Sequence, residues 1–170
     1  MTMAPADHLA ASALDDVQHA FRAAMSHVAA AVSVVTVLED GVPHGTTVSA
    51  FMSLSMEPPM MLVSLDARSS LLTRVRLGSR VGVNVLADGQ SPVATRFATK
   101  GGDRFAELAW QVEDGAPALR ERHAWVALDV DRLVPAGDHV LVLGHVRAAE
   151  TGTAHPRPLT YWRRAFGTHS

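Results

Sequence analysis

The period of the apolar positions changes several times along the chain, and each change marks an element. Val17, Phe21, Met25 and Val28 recur at helical spacing behind Asp15 and Asp16, whose charge suits a helix N-terminus; the pattern predicts an amphipathic helix opening at Asp15. Residues 1–14 lack the basic start and long apolar run of a secretory signal and read as a flexible leader to a single domain over 15–170. Ala31–Leu38 is dense in β-branched residues and runs into Glu39-Asp40-Gly41-Val42, a strand followed by a hairpin corner. Extended chain continues from His44 to Ser55, Pro58-Pro59 stops it, and Met60–Leu65 reads as a buried strand.

Ser69 or Ser70 is placed to cap a short helix through Leu77, after which Val81–Leu86 is a strand. Ser91 suits an N-cap and Pro92 a first helical position, with Val93, Phe97 and Leu108 turned inward. Val126, Leu128 and Val130 alternate inward, which puts Trp125 on an outer face or a dimer contact; Gly137-Asp138 then breaks the run before the strand Val140–Val146. Strands in hairpin-like succession with few helices define a mainly β (α+β) chain, an antiparallel sheet closed into a barrel rather than a βαβ array.

Composition narrows the functional classes. With 170 residues, 48% hydrophobic and 19% charged, the chain supports one well-filled core. A net charge of -2 leaves no basic surplus for a nucleic acid. The absence of cysteine removes disulfides, thiolate metal sites and thiol nucleophiles, and suits a reducing cytoplasm; the apolar runs are strand-sized, too short for a membrane helix. No G-x-G-x-x-G or Walker A pattern occurs, so a nucleotide must be held in another way.

The stretch His44–Pro59 sets small hydroxyl residues and backbone amides beside Phe51, a surface suited to a flat polar ring; a Thr/Ser-rich edge strand accounts for the same residues. Asn84 interrupts an apolar strand, so it is either a satisfied core amide or a ligand contact, and Gln90 and Phe97 pose the same choice. His139 and His145 share a strand face if pairing is regular, but two histidines without a third ligand do not define a metal site, and none is expected.

Phe21-Arg22, Val35-Thr36, His44-Gly45-x-Thr47-Val48-Ser49-Ala50-Phe51, Ser53-Leu54-Ser55 and Pro58-Pro59 resemble the short-chain flavin reductase family, the reductase components of two-component flavin monooxygenases. The similarity continues through Val83-Asn84-Val85-Leu86, Gln90, Arg96-Phe97-Ala98, Gly137-Asp138-His139, Gly144-His145-Val146 and Pro158-Leu159-Thr160-Tyr161. It implies a homodimeric Greek-key split β-barrel with FMN or FAD at the subunit interface and NADH or NADPH stacked on the flavin. Reduced flavin would then serve a partner monooxygenase.

By position, the resemblance puts Thr47, Val48, Ser49 and Ala50 along the isoalloxazine edge with Thr36 and Ser53 nearby. Ser64, Leu65 and the turn from Asp66 to Ser70, with Arg68, Ser69 and Ser70, fall by the ribityl phosphate; Asn84, Gln90, Phe97 and Tyr161 are further cofactor contacts, and His139 sits near the nicotinamide. Trp162-Arg163-Arg164 departs from the Gly-rich ending usual after that tyrosine. Two other readings use the same barrel: a flavin- or haem-binding module without turnover, and an enzyme with its own tightly held FMN. The second needs a basic phosphate pocket, for which Arg68, Arg74, Arg76 and Arg80 are available but read as a solvated helix face.

Overall fold

The structure is a computed structural model that describes residues 5–152 and 157–168. Helix α1 (Pro5–Met25) opens the chain. It starts ten residues before the predicted Asp15, within the segment read as a leader, because nothing in residues 5–14 breaks a helix after Pro5 and alanines fill much of it.

Seven antiparallel strands form the body, in the order β3-β2-β6-β9-β10-β5-β4. They are β2 (Ser33–Glu39), β3 (Val42–Val48), β4 (Phe51–Met56), β5 (Pro59–Asp66), β6 (Arg80–Val85), β9 (Ala124–Ala136) and β10 (His139–Thr151). The end strands β3 and β4 are joined by only Ser49 and Ala50, so the sheet curls back on itself. The Ser64 amide donates to the Ala50 carbonyl at 2.8 Å and pins that return, but β3 and β5 do not pair as a ladder. A barrel with one split seam results.

Inside the barrel Val35, Val37, Val48, Val63, Leu65, Val81, Val83, Leu128 and Val142 form one cluster. Strand β2 is buried on both faces: Val34 packs outward with Val32, Leu86, Phe97, Phe105 and Leu159. This double burial explains why its sequence is a near-continuous β-branched run instead of an alternation. The outer layer is supplied by α2 (Ser91–Ala98) and the hairpin β7 (Trp110–Glu113) and β8 (Ala116–Leu119). Gly45 permits that layer to approach, since a Cβ there would lie 2.8 Å from Phe97 Cε1.

Several local expectations change. Gln90, not Ser91, holds the cap position of α2, and its carboxamide oxygen turns back to the Ala87 amide at 2.7 Å. The helix expected from Ser69 or Ser70 to Leu77 shrinks to a single 3-10 turn, Leu72–Arg74, whose cap position is Leu71 and carries no side-chain cap; Ser69 Oγ accepts the Leu71 amide at 3.2 Å in the preceding bend. Trp125 faces outward as its alternation requires but is 2% exposed, because β8 covers it and Arg122 stacks 5.6 Å from its ring. Arg74 and Arg80 do not form a solvated face: Arg74 pairs with Glu39 at 3.0 Å and Arg80 with Asp129 at 2.8 Å.

A small sheet of β1 (Ala30–Ala31), β11 (Thr160–Trp162) and β12 (Ala165–Gly167) closes the chain. The departure at Trp162-Arg163-Arg164 is its hairpin turn, with both arginines at positive φ, 49° and 63°. The Arg163 amide and Trp162 Nε1 donate to the carbonyls of Ser26 and His27, tying the end of α1 to this hairpin.

Candidate active site

The barrel seam carries a cleft of about 220 Å³, bordered by Thr46, Thr47, Val48, Ser49 and Ala50 on one side and Ser64, Leu65, Asp66, Ser69 and His139 on the other. Strand β3 pairs with β2 along one edge only, so its other edge offers backbone donors and acceptors to the seam. Arg104 Nη1 donates to the Gly45 carbonyl at 2.7 Å on that free edge, and the two-residue period of a strand turns the peptide groups of Thr47 the same way. The Thr47 hydroxyl is committed elsewhere, donating to the Ala94 carbonyl of α2 at 2.6 Å. Val48 and Leu65 bury their side chains in the barrel core and border the cleft as strand backbone.

His139 enters from the start of β10, where it lies opposite Asp66 of β5. Its Nδ1 is 2.7 Å from Asp138 Oδ1. A carboxylate only accepts, so Nδ1 carries the hydrogen of this contact and the ring is oriented by it. The same bond holds the Asp138 carboxyl below its usual range, with the imidazole charge adding to the effect. Asp66 is depressed further, chiefly by the side-chain hydrogen bond from Arg68 and then by the Arg68 amide. Arg68 grips both Asp66 oxygens, at 3.1 and 2.8 Å, lies 84% exposed and does not itself border the cleft.

Thus Thr47, Val48, Ser49, Ala50, Ser64, Leu65, Ser69 and His139 are brought together. The remaining expected contacts lie elsewhere. Thr36 and Asn84 are fully buried on the outer barrel face, where Thr36 Oγ1 donates to Pro117 O at 2.6 Å and Asn84 Oδ1 accepts the Leu119 amide at 2.7 Å; both fasten β8. Gln90 bridges Ala87 N and Glu121 O, and Phe97 is a core ring 5.0 Å from Phe105. Ser53 sits exposed at a bulge of β4, and Tyr161 packs on Phe166 in the C-terminal hairpin. Ser70 turns out of the cleft into a neighbouring cavity. His145 shares a strand face with His139, since β10 runs in unbroken register with β5 from His139 to His145 and the bulge opposite Leu143/Gly144 belongs to β9; it lies six residues along, outside the cleft and 4.0 Å from Asp131.

Thr46 and Asp138 join the site without having been singled out, and Asp66, placed only as the start of the turn by the ribityl phosphate, borders the cleft itself. Thr46 carried a signal, standing within the same hydroxyl-rich run; Asp66 and Asp138 depend on the pairing of β5 with β10, which no local pattern reveals.

The curled sheet and its donor-rich seam define a split barrel with a ligand cleft at the join. Residues 25–170 match the flavin reductase like domain, and the chain belongs to that family. It is 36% identical over 147 residues to the reductase component of 4-nitrophenol 4-monooxygenase/4-nitrocatechol 2-monooxygenase from Rhodococcus opacus, covering 86% of this chain and 78% of the relative. It is 38% identical over 151 residues to NADH:riboflavin 5'-phosphate oxidoreductase from Streptomyces pristinaespiralis, covering 87% and 86%. Among solved structures, nitrilotriacetate monooxygenase component B from Mycobacterium thermoresistibile superposes with a TM-score of 0.87 at 28% identity, covering 94% of this chain and 89% of that one.

Proposed function

We propose that this chain is an NAD(P)H:flavin oxidoreductase that reduces FMN or FAD and hands the reduced flavin to a separate monooxygenase. The observation that carries the reading is the seam cleft: a free strand edge, the hydroxyls of Ser49, Ser64 and Ser69, and His139 on one wall, in a chain whose relatives are named as flavin reductases and monooxygenase reductase components. When bound, the flavin accepts a hydride from the nicotinamide and carries the electrons onward.

The residues fit such a ring. The Thr47 peptide group and the serine hydroxyls offer donors and acceptors to its polar edge, fixed in place before binding by the barrel. Ser49 and Ala50 are exposed, so the cleft is shallow and holds an edge while leaving a face open to a second planar reactant. His139, oriented by Asp138, lies at that opening and positions the nicotinamide.

The protein acts as a homodimer. Val17, Phe21 and Met25 form an apolar stripe on α1 that is 64%, 65% and 48% exposed, and Met52, Leu54 and Met56 form another on edge strand β4. A second copy of the chain would cover both and add the wall that the cleft lacks. Among the described residues no helix is long and apolar enough to cross a membrane, and the cysteine-free sequence fits a cytoplasmic setting.

Steady-state consumption of NADH and NADPH by the purified chain, with flavin in large excess, tests the activity. Consumption that depends on added flavin over many turnovers is expected. Stoichiometric retention of flavin without consumption would instead make the chain a binding module.

A further inference from the structure

Asp66, Arg68, Asp138 and His139 gather at the mouth of the cleft, and the proposed function uses only the last two. They sit on two turns that the barrel stitches together: the Ala67 amide, between Asp66 and Arg68, donates to the Asp138 carbonyl at 2.9 Å. His139 and Asp66 are direct partners in the antiparallel pairing of β10 with β5, and both border the cleft. Such partners leave the sheet on one face with Cβ atoms roughly 4.5–5.5 Å apart. Asp138 and Arg68 follow on the turns, outside the cleft lining.

In the observed arrangement each donor takes the carboxylate of its own turn. His139 Nδ1 is 2.7 Å from Asp138 Oδ1, and Arg68 spans both Asp66 oxygens at 3.1 and 2.8 Å. A crossed arrangement keeps the same charges and the same number of pairs: His139 on Asp66 across the strands, Arg68 on Asp138 across the turns. Both crossed attractions already act. The Asp66 carboxyl, held low chiefly by the Arg68 side chain and amide, also feels the His139 charge; the Arg68 guanidinium, held up chiefly by Asp66, also feels Asp138. Among the described residues nothing else competes for the ring, since β9 sets Ala136 opposite His139 and the facing wall Thr46–Ala50 carries no charge. Asp138 is 85% and Arg68 84% exposed, and pairs so open to water exchange readily. The Arg68 amide holds Asp66 Oδ1 at 2.7 Å, so departure of the guanidinium frees Oδ2 without unfastening the turn.

We infer that Asp66 is a second positioning residue for His139, and that Arg68 decides which carboxylate the ring takes. Paired with Asp138, the imidazole is drawn to the outer turn; paired with Asp66, it is drawn over the cleft. The inference deepens the proposed function and rests on its reading of His139 as the group that faces the nicotinamide. It adds that the ring has two positions, and that engaging or removing the Arg68 guanidinium moves the balance between them.

Carboxyl NMR titration of Arg68→Gln, a change at an exposed position, reads the pairing directly. When the ring crosses over, Asp138 loses the hydrogen bond that holds it low and its pKa rises towards the ordinary carboxylate range, while Asp66 stays low. In the double variant Arg68→Gln, Asp66→Asn the ring has no second carboxylate, and Asp138 should return to its low value. An Asp138 carboxyl that stays low in Arg68→Gln, whatever Asp66 does, overturns the inference, as does one that rises equally in the double variant. Steady-state kinetics supply the functional arm. Asp138→Asn and Asp66→Asn should each raise the nicotinamide KM about threefold or less, because the other carboxylate takes over the ring; together they should raise it well beyond the product of the two, about tenfold or more over wild type. Single effects that merely multiply would count against a shared ring. An unchanged nicotinamide KM in His139→Gln would strike the reading of His139 itself, and the carboxyl titrations would still decide the exchange.

Discussion

At the scale of single residues, the site is held by contacts that can be removed one at a time. His139→Gln takes away the ring whose hydrogen bond holds the Asp138 carboxyl low, so the Asp138 pKa should rise towards the ordinary carboxylate range, which a carboxyl NMR titration would read. If the ring positions the nicotinamide as proposed, the same variant should raise the nicotinamide KM more than it lowers kcat; an unchanged KM would remove His139 from that role. Gly45→Ala forces a methyl to 2.8 Å from Phe97 Cε1 inside a packed layer. A loss of about 1–3 kcal/mol is expected, visible as a lower Cm in urea at constant slope. These residues also mark the limit of what was legible. Asn84 and Thr36 were rightly suspect as polar groups on apolar strands, but a buried amide advertises only that it has partners. Those partners proved to be the backbone of β8, about 35 and 80 positions onward, so the sequence alone could not separate a structural clamp from a ligand contact.

Elements were readable where period and punctuation agreed. Strands β2 and β6 follow the β-branched runs closely, whereas the extension expected from His44 to Ser55 divides at Ser49-Ala50 into β3 and β4, and β9 and β10 run well past Val126–Val130 and Val140–Val146; the contiguous segment Thr47–Ala50 reached the cleft because a single strand edge lines most of one wall. Elements completed by tertiary contact were not. Trp125 lies on an outer face only until the β7-β8 hairpin covers it, and the turn after β5 shortens to 3-10 because Val75 must enter the barrel core. The C-terminal hairpin shows a cost that sequence made visible only as an oddity: Arg163 and Arg164 both occupy left-handed backbone, where residues with a Cβ are disfavoured. Arg164→Gly should therefore stabilise the protein by about 0.5–1 kcal/mol, a rise of a few degrees in Tm, after offsetting the added freedom of the unfolded chain. A fall in Tm would mean that the Arg164 side chain makes contacts worth more than that strain.

For the whole molecule, the fold divides labour between a rigid barrel and surfaces it leaves unfinished. The barrel fixes the β3 edge, and the apolar stripes on α1 and β4 stay exposed in the single chain, where the proposed dimer would cover them. Sedimentation should show a dimer, and the double variant Phe21→Glu, Met25→Glu should dissociate it without loss of β structure; a wild-type monomer at micromolar concentration would contradict this. Solubility and activity would then part company, since the isolated subunit keeps its seam but lacks the covering wall. The most direct test of the seam as the reactive site is anaerobic stopped-flow reduction of excess FMN or FAD by NADH or NADPH, comparing wild type with Ala50→Trp. Ala50 is exposed and borders the cleft, so the indole fills the cleft without entering the core. Wild-type protein should bleach many equivalents of flavin, and the folded variant should bleach at least tenfold more slowly, about 1.4 kcal/mol of lost transition-state stabilisation. Bleaching by the variant at the wild-type rate would place the chemistry elsewhere, and no bleaching by the wild type would contradict the account altogether.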